Sequence, residues 1–256
     1  MQSQQIKRIV LGIEYDGTKY FGWQKQENLL TVQETVEKAL SLIANHKVQV
    51  ICAGRTDVGV HALGQVVHFD TEVIRPEVAW VLGTNTKLPG DIRVHWVKEV
   101  AGDFNARFSA LARTYRYLIH IGKVYPALLR HRVAWLRHDL DIDLMQEAAQ
   151  YLIGEHDFSS FRGIGCQSRS TQRYVEKITL TRETTLITIT IKANAFLRHM
   201  VRNIIGALVD VGLRKKPPFW IQEVLLAKNR NLAGVTMPPQ GLYLVAVKYA
   251  EEFMIP

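Results

Sequence analysis

Apolar and polar residues alternate at the start of the chain. Residues 6–14 are β-branched and two-periodic, the pattern of a half-buried strand. The spacing changes at residue 31, where Val32, Val36, Ala39, Leu40 and Ile43 fall on one face of a helix over 31–44. Thr31 and Glu34 read as its capping box. Short apolar runs at 48–52 and 65–70 predict two strands, Pro76 sits in the first turn of a helix reaching residue 84, and 91–98 predicts a fourth strand. The same order then returns. A strand over 113–121 precedes a helix over 141–153 that carries Leu144, Ala148, Tyr151 and Leu152 on one side. Residues 174–182 and 186–192 read as a hairpin turning at 183–185. A helix over 196–211 has Met200, Ile204, Ala207, Leu208 and Val211 as its stripe and Gly212 as its C-cap, and 242–249 is a last strand.

Two copies of β-α-β-β-α-β predict an α+β chain of two ferredoxin-like (RRM-like) halves, residues 1–105 and 106–256, with the linker near 100–113. Each half would be an antiparallel sheet with helices on one face. The two uncovered faces would flank a central basic cleft suited to a long ligand.

Charge supports that ligand's class. The 256 residues carry a net charge of +8. Residues 104–138 contain no acid but hold Arg107, Arg113, Arg116, Lys123, Arg130, Arg132 and Arg137, and residues 158–175 lack acids while carrying Arg162, Arg169 and Arg173. Such runs are often only solvated faces. Several in one chain, interleaved with aromatics, favour a polyanion, most simply nucleic acid. The segment 14–26, EYDGTKYFGWQKQ, adds an aromatic-plus-basic loop fit for stacking on bases, or for stapling a sheet edge. Cys52 and Cys166 are the only cysteines. They make no CxxC pair, and with a polar N-terminus they point to a reducing cytoplasm without a leader or a membrane span.

The candidate chemistry centres on residues 53–69, AGRTDVGVHALGQVVHF, between two predicted strands. Asp57 lies between Gly54 and Gly59, two residues after Arg55 and four before His61. A carboxylate on such a loop either caps its own turn or is exposed for chemistry on a rigid scaffold. In the second half Arg113, Tyr115 and Tyr117 share one strand face, which would suit base stacking or a half-buried edge strand. Arg198 and Arg202 fall one helical turn apart beside Asn203, with no acid between residues 192 and 209. They would bind an external anion or a carboxylate from elsewhere in the chain. No P-loop, GxGxxG, HExxH or GxSxG motif is present, so the expected site is one carboxylate, one tyrosine and arginines, with no metal and no cofactor.

These segments resemble the tRNA pseudouridine synthase A family from end to end. The resemblance is carried by GRTDVGVHALGQVVHF, EYDGTKYFGWQKQ, FNARFSALARTYRY around Arg107, HDFSSFRG, FLRHMVRNIIGALVDVG and GLYLVAVKY. GCQSRSTQR, residues 165–173, departs from the family pattern. The resemblance implies isomerisation of uridine to pseudouridine in the anticodon stem-loop, at tRNA positions 38, 39 and 40. It matches Asp57 to the catalytic aspartate, Tyr115 to the tyrosine that stacks on the target uracil, and Arg202 to the arginine that pairs with the aspartate. Arg55, His61, Arg107, Arg162 and Arg198 are expected on the substrate. The resemblance also implies a homodimer with no cofactor. A non-catalytic tandem RRM-like RNA-binding protein is the second reading; it explains charge and fold but not a carboxylate caged by glycines.

Overall fold

The computed structural model describes residues 6–256. The polar start of the chain, residues 1–5, lies outside the described residues. The chain forms two compact units, Met1–Arg113 with Tyr243–Pro256, and Thr114–Leu242.

The first unit contains β1 (Lys7–Tyr15), α1 (Val32–Ala44), β2 (Ile51–Cys52), β3 (His61–Thr71), α2 (Thr84–Lys87) and β4 (Ile92–Val100). β1 pairs antiparallel with both β3 and β4, and β2 pairs antiparallel with β3. The predicted strand at 48–52 is a ladder only at its last two residues. Its earlier amides bond to side chains of α1 instead: Val48 N–H donates to Ser41 Oγ at 2.9 Å and Val50 N–H to Glu37 Oε1 at 3.0 Å. The predicted capping box is absent. Thr31 is fully buried, its hydroxyl makes no cap bond, and Glu34 turns to Lys38 at 3.2 Å. The helix predicted up to residue 84 runs on, through a π turn (Ala79–Gly83) into α2.

One face of this sheet meets the helical layer, where Phe69 packs edge-on to Trp80 at 5.3 Å. The other face was expected to stay open. Near Val10, Val66 and Ala53 it is covered by Phe104, Ala106 and Tyr249, with Phe253 and Ile255 packed outside them. With apolar cover on both faces, β1 is buried almost throughout. Gly12 leaves the space that the Trp96 indole fills, 2.1 Å from where a Cβ would stand.

The second unit contains β5 (Ala112–Ile121) from Thr114 on, β6 (Ala134–Leu136), α3 (Ile142–Gln150), β7 (Gly154–Asp157), β8 (Gln172–Glu183), β9 (Leu186–Ala193), α4 (Met200–Gly212) and α5 (Trp220–Ala227). Its strand order is β5-β9-β8-β7, with β6 on β5. The predicted hairpin is present, turning at Thr184 with φ +52°. β6, β7 and α5 had no periodic signal long enough to announce them. α4 departs from its predicted stripe, because it is buried nearly all round. Gly206 admits the Val235 carbonyl to 1.9 Å from a would-be Cβ, and Gly212 does the same for Met145 Sδ at 2.6 Å. Gly212 is therefore a packing glycine and not the expected left-handed cap; the positive φ falls at Arg214. The final strand, β10 (Leu242–Lys248), pairs parallel with β3 through Tyr243 and Leu244, within the first unit.

Candidate active site

In the first unit, residues 53–60 join β2 to β3, and neutral groups hold nearly every turn of this loop. Ala53 N–H donates to the Val66 carbonyl at 2.8 Å. The fully buried Gln65 brackets Gly54: its Nε2 donates to the Gly54 carbonyl at 2.6 Å, and Gly54 N–H donates to its Oε1 at 3.4 Å. Thr56 is buried, and its hydroxyl lies 2.7 Å from the Tyr15 hydroxyl. Its carbonyl accepts Trp23 N–H at 3.0 Å. Buried polar groups satisfied in this way confer a single geometry, because any other leaves one of them unpaired. A turn then closes from Val60 N–H to the Asp57 carbonyl at 3.1 Å, through Gly59 at φ +75°.

The aromatic loop at 16–26 forms the floor. Gly22, at φ +82°, lies so close that a Cβ would come within 2.8 Å of the Thr56 carbonyl. His61 is buried, accepts Gly17 N–H on Nδ1 at 3.0 Å, and stacks on Tyr243 with ring centroids 4.7 Å apart. The structure thus places His61 behind the loop. Arg55 is exposed and Asp57 half-exposed at its tip.

Arg107 stands on a separate turn of the same unit, after Phe104 and Ala106 enter the core. Arg113 connects the two: it donates to the Ala53 carbonyl at 3.0 Å and to the Arg107 carbonyl at 2.6 Å. Ala106 is held at both backbone atoms, its N–H by His68 Nδ1 at 3.1 Å and its carbonyl by the Tyr249 hydroxyl at 2.7 Å. Burial, helped by the Arg8 charge, pushes the His68 pKa down to about 4, which keeps the ring a neutral acceptor.

In the second unit Tyr115 is buried and packs edge-on to Phe196 at 5.0 Å. Tyr117, two residues on, is core; its hydroxyl donates to the Pro238 carbonyl at 2.7 Å, and burial raises its pKa. Arg202 anchors to the neighbouring residue: Nε donates to the Met237 carbonyl at 2.6 Å, and Met237 N–H returns to the Arg202 carbonyl at 3.2 Å. The first bond ties the guanidinium to the Met237 carbonyl, and the second joins the two backbones. Arg198 does not share its helical face, because His199 adopts φ +59° and α4 begins only at Met200. Arg198 and Arg162 instead converge on the loop after residue 162. Arg198 donates to the Ile164 carbonyl at 3.1 Å, and Arg162 to the carbonyls of Cys166 and Ser168. Asn203 is fully buried, donating to the Phe161 carbonyl at 2.8 Å and accepting from Thr236 at 2.6 Å and Arg230 at 3.0 Å.

The sequence reading missed Thr56, Tyr15 and Gln65. The available signal was polarity on the inward side of apolar strands, where a buried hydroxyl or amide must have a partner. Among the described residues no group of three or more His, Cys, Asp or Glu side chains is placed to hold a metal, and no helix is long and apolar enough to cross a membrane.

A single-carboxylate loop of this kind also has a match in sequence. The family model described as tRNA pseudouridine synthase matches residues 12–109 and 148–250. The chain belongs to the tRNA pseudouridine synthase family, isomerases that convert uridine in tRNA to pseudouridine. Among its relatives is the tRNA pseudouridine synthase A of Colwellia psychrerythraea strain 34H, 55% identical over 249 residues that cover 97% of this chain and 96% of that one. That of Shewanella denitrificans strain OS217 is 56% identical over 249 residues, covering 97% and 95%. That of Salmonella arizonae is 54% identical over 255 residues, covering 100% and 94%.

Proposed function

We propose that the chain isomerises uridine in the anticodon stem-loop of tRNA, at the three positions named above, with Asp57 as the catalytic carboxylate. The observation that carries this reading is the tip of the 53–60 loop. Anchored neutral neighbours present one half-exposed carboxylate beside an exposed arginine. The C1′–N1 bond must break, the uracil must turn, and C5 must bond to C1′ and lose its proton. An ionised Asp57 can attack C1′ or take the 2′ proton, and both routes use the same placement. The target base leaves its stack at a cost of about a few kcal/mol. Tyr115 offers stacking in return, and Arg202 is assigned to pair with Asp57 in a site closed to water.

Arg55 and Arg107, both exposed, are assigned to phosphates. The contacts of His61, Arg162 and Arg198 support a different assignment: they shape loops that meet the substrate. The strand order β4-β1-β3, with β2 on β3, supports a ferredoxin-like first half, and the hairpin and α4 support a second. A homodimer in the cytoplasm completes the reading, consistent with two free cysteines and with the family resemblance.

The test is tritium release from tRNA carrying C5-labelled uridine. Wild-type chain should release it, and Asp57→Ala should not while still binding tRNA. Arg202→Lys should also lose activity, because an ammonium cannot make a planar two-point contact with a carboxylate. Wild-type rates in Asp57→Ala would overturn the assignment.

A further inference from the structure

The turn that carries Arg107 also displays a phenylalanine. Phe108 is 79% exposed, whereas Phe104, four residues earlier, is fully buried. Scattered exposed apolar residues are ordinary, but three features set this one apart.

The turn beneath it is rigid. Ala106 is held at both N–H and carbonyl, as described, and Asn105 Oδ1 accepts the N–H groups of Arg107 at 3.0 Å and Phe108 at 3.1 Å. Ser109 N–H closes back on the Asn105 carbonyl at 2.8 Å. Little backbone entropy is left to lose when something docks on the ring. The ring is also half dressed: the Arg107 guanidinium lies over it at 5.4 Å from the centroid. One face is taken by a cation, and the ring projects from the protein surface. Finally, the surrounding sequence carries seven basic residues and no acid over residues 104–138. A partner for this spot has a flat aromatic surface and negative charge close by. An unstacked nucleotide has both: its base can stack on the ring while its phosphate meets Arg107.

We propose that Phe108, with Arg107 over it, is a stacking platform for an unpaired tRNA base other than the one being isomerised. The proposal rests on the tRNA reading above and adds a binding subsite to it. The platform contributes affinity and register and takes no part in bond making.

The experiment uses the full chain, a tRNA transcript, and the variants Phe108→Ala and Phe108→Trp. Phe108→Ala should raise Kd and KM for tRNA roughly tenfold or more, the scale of one lost base–aromatic stack. Its kcat at saturating tRNA should stay within about twofold of the parent. Phe108→Trp should bind as the parent does, and its added indole emission, after subtraction of the five native tryptophans, should be quenched by tRNA. A Phe108→Ala Kd within about twofold of the parent, or Phe108→Trp emission unmoved at saturating tRNA, overturns the proposal. A Phe108→Ala chain that dissociates into smaller species while keeping its tRNA affinity assigns the ring to a second copy of the chain and also overturns it. If Phe108→Ala fails to fold, the Phe108→Trp quench alone decides. A parent chain that neither binds tRNA nor releases tritium signals failure of the functional reading itself, and the platform falls with it.

Discussion

Two polar, glycine-bearing loops of this molecule are built on opposite plans. The loop at 53–60, in the first unit, is anchored mainly by neutral groups, the Thr56 and Tyr15 hydroxyls, the Gln65 amide and the backbone of Trp23, with one cation, Arg113, on the carbonyl of its first residue. The loop at 163–170, in the second, is stapled by cations. Arg162, Arg198 and Arg173 all donate into it, Arg173 reaching Ser168 Oγ at 2.7 Å and the Ser170 carbonyl at 3.0 Å. Each loop carries one arginine of its own, Arg55 in the first and Arg169 in the second. The first keeps Arg55 and Asp57 at its tip. The second consumes guanidinium groups in its own interior, and burial lowers the Arg173 pKa as a consequence. In that second loop burial alone would raise the Cys166 thiol, but the Arg198 and Ser168 amides and the Arg162 guanidinium bring it below its ordinary value. A catalytic carboxylate needs an anchor that does not compete for its charge, and neutral hydrogen bonds provide one.

The largest effect should come from the tip of the first loop. Asp57→Asn keeps the shape and removes the charge, and turnover should fall on the order of a thousandfold or more. Single-turnover tritium release measures it. Comparable loss in Arg162→Ala would erase the distinction between the two loops.

Acid should act on a neutral anchor elsewhere in the first unit and leave arginine staples untouched. His68 pins the 104–109 turn as a neutral acceptor, with its pKa lowered to about 4 in the fold from an ordinary 6.5. A base so lowered contributes stability that is complete above about pH 6.5 and is lost as pH falls toward 4, because the unfolded chain takes up the proton first. At about 1.4 kcal/mol per unit, the loss should reach about 2–3 kcal/mol. Urea titrations across that range in the parent and in His68→Asn, whose Oδ1 can replace Nδ1 without titrating, should show this part of the slope disappear in the variant. Arginine staples do not titrate there. A slope unchanged in His68→Asn would move the acid sensitivity to another group.

Next comes the anchor itself. Thr56→Val removes the hydroxyl at nearly constant volume and leaves Tyr15 without this contact. Loss of alignment at Asp57 should lower kcat about ten- to a hundredfold with KM for tRNA little changed. Thr56→Ser should recover most of it. Equal losses in the serine and valine variants would make the methyl, and not the hydrogen bond, the working part.

The smallest effect belongs to the second loop. Arg162→Ala gives up two charge-assisted bonds to carbonyls and should cost about 1–2 kcal/mol of stability in a urea melt, with kcat retained. A neutral result would mean that Arg198 and Arg173 hold the loop unaided.

Much of this could be read before folding. The longer strands declare themselves by alternation, and the 53–60 loop by its glycines around one acid. Other residues misled, each for a physical reason. Arg198 looked helical because periodicity continues through residues 196–199, but His199 breaks into the left-handed region. Thr31 looked like a cap, and burial of its hydroxyl removed the bond. Gly212 looked like a stop and proved to be a gap for Met145.

Local pattern alone determined where the longer strands and helices run and where a lone carboxylate sits between glycines. These follow from steric limits and side-chain periods that act over a few residues. Only the tertiary structure decided which arginines are spent inside the protein. A guanidinium answers to whichever carbonyl or carboxylate the fold brings within 3 Å or so, and sequence spacing carries no record of that distance. The same holds for Thr56, Tyr15 and Gln65. Their partners lie 41 residues away in the case of Thr56 and Tyr15, and 11 in the case of Gln65 and Gly54, and they become anchors only once β1, β2 and β3 are laid side by side.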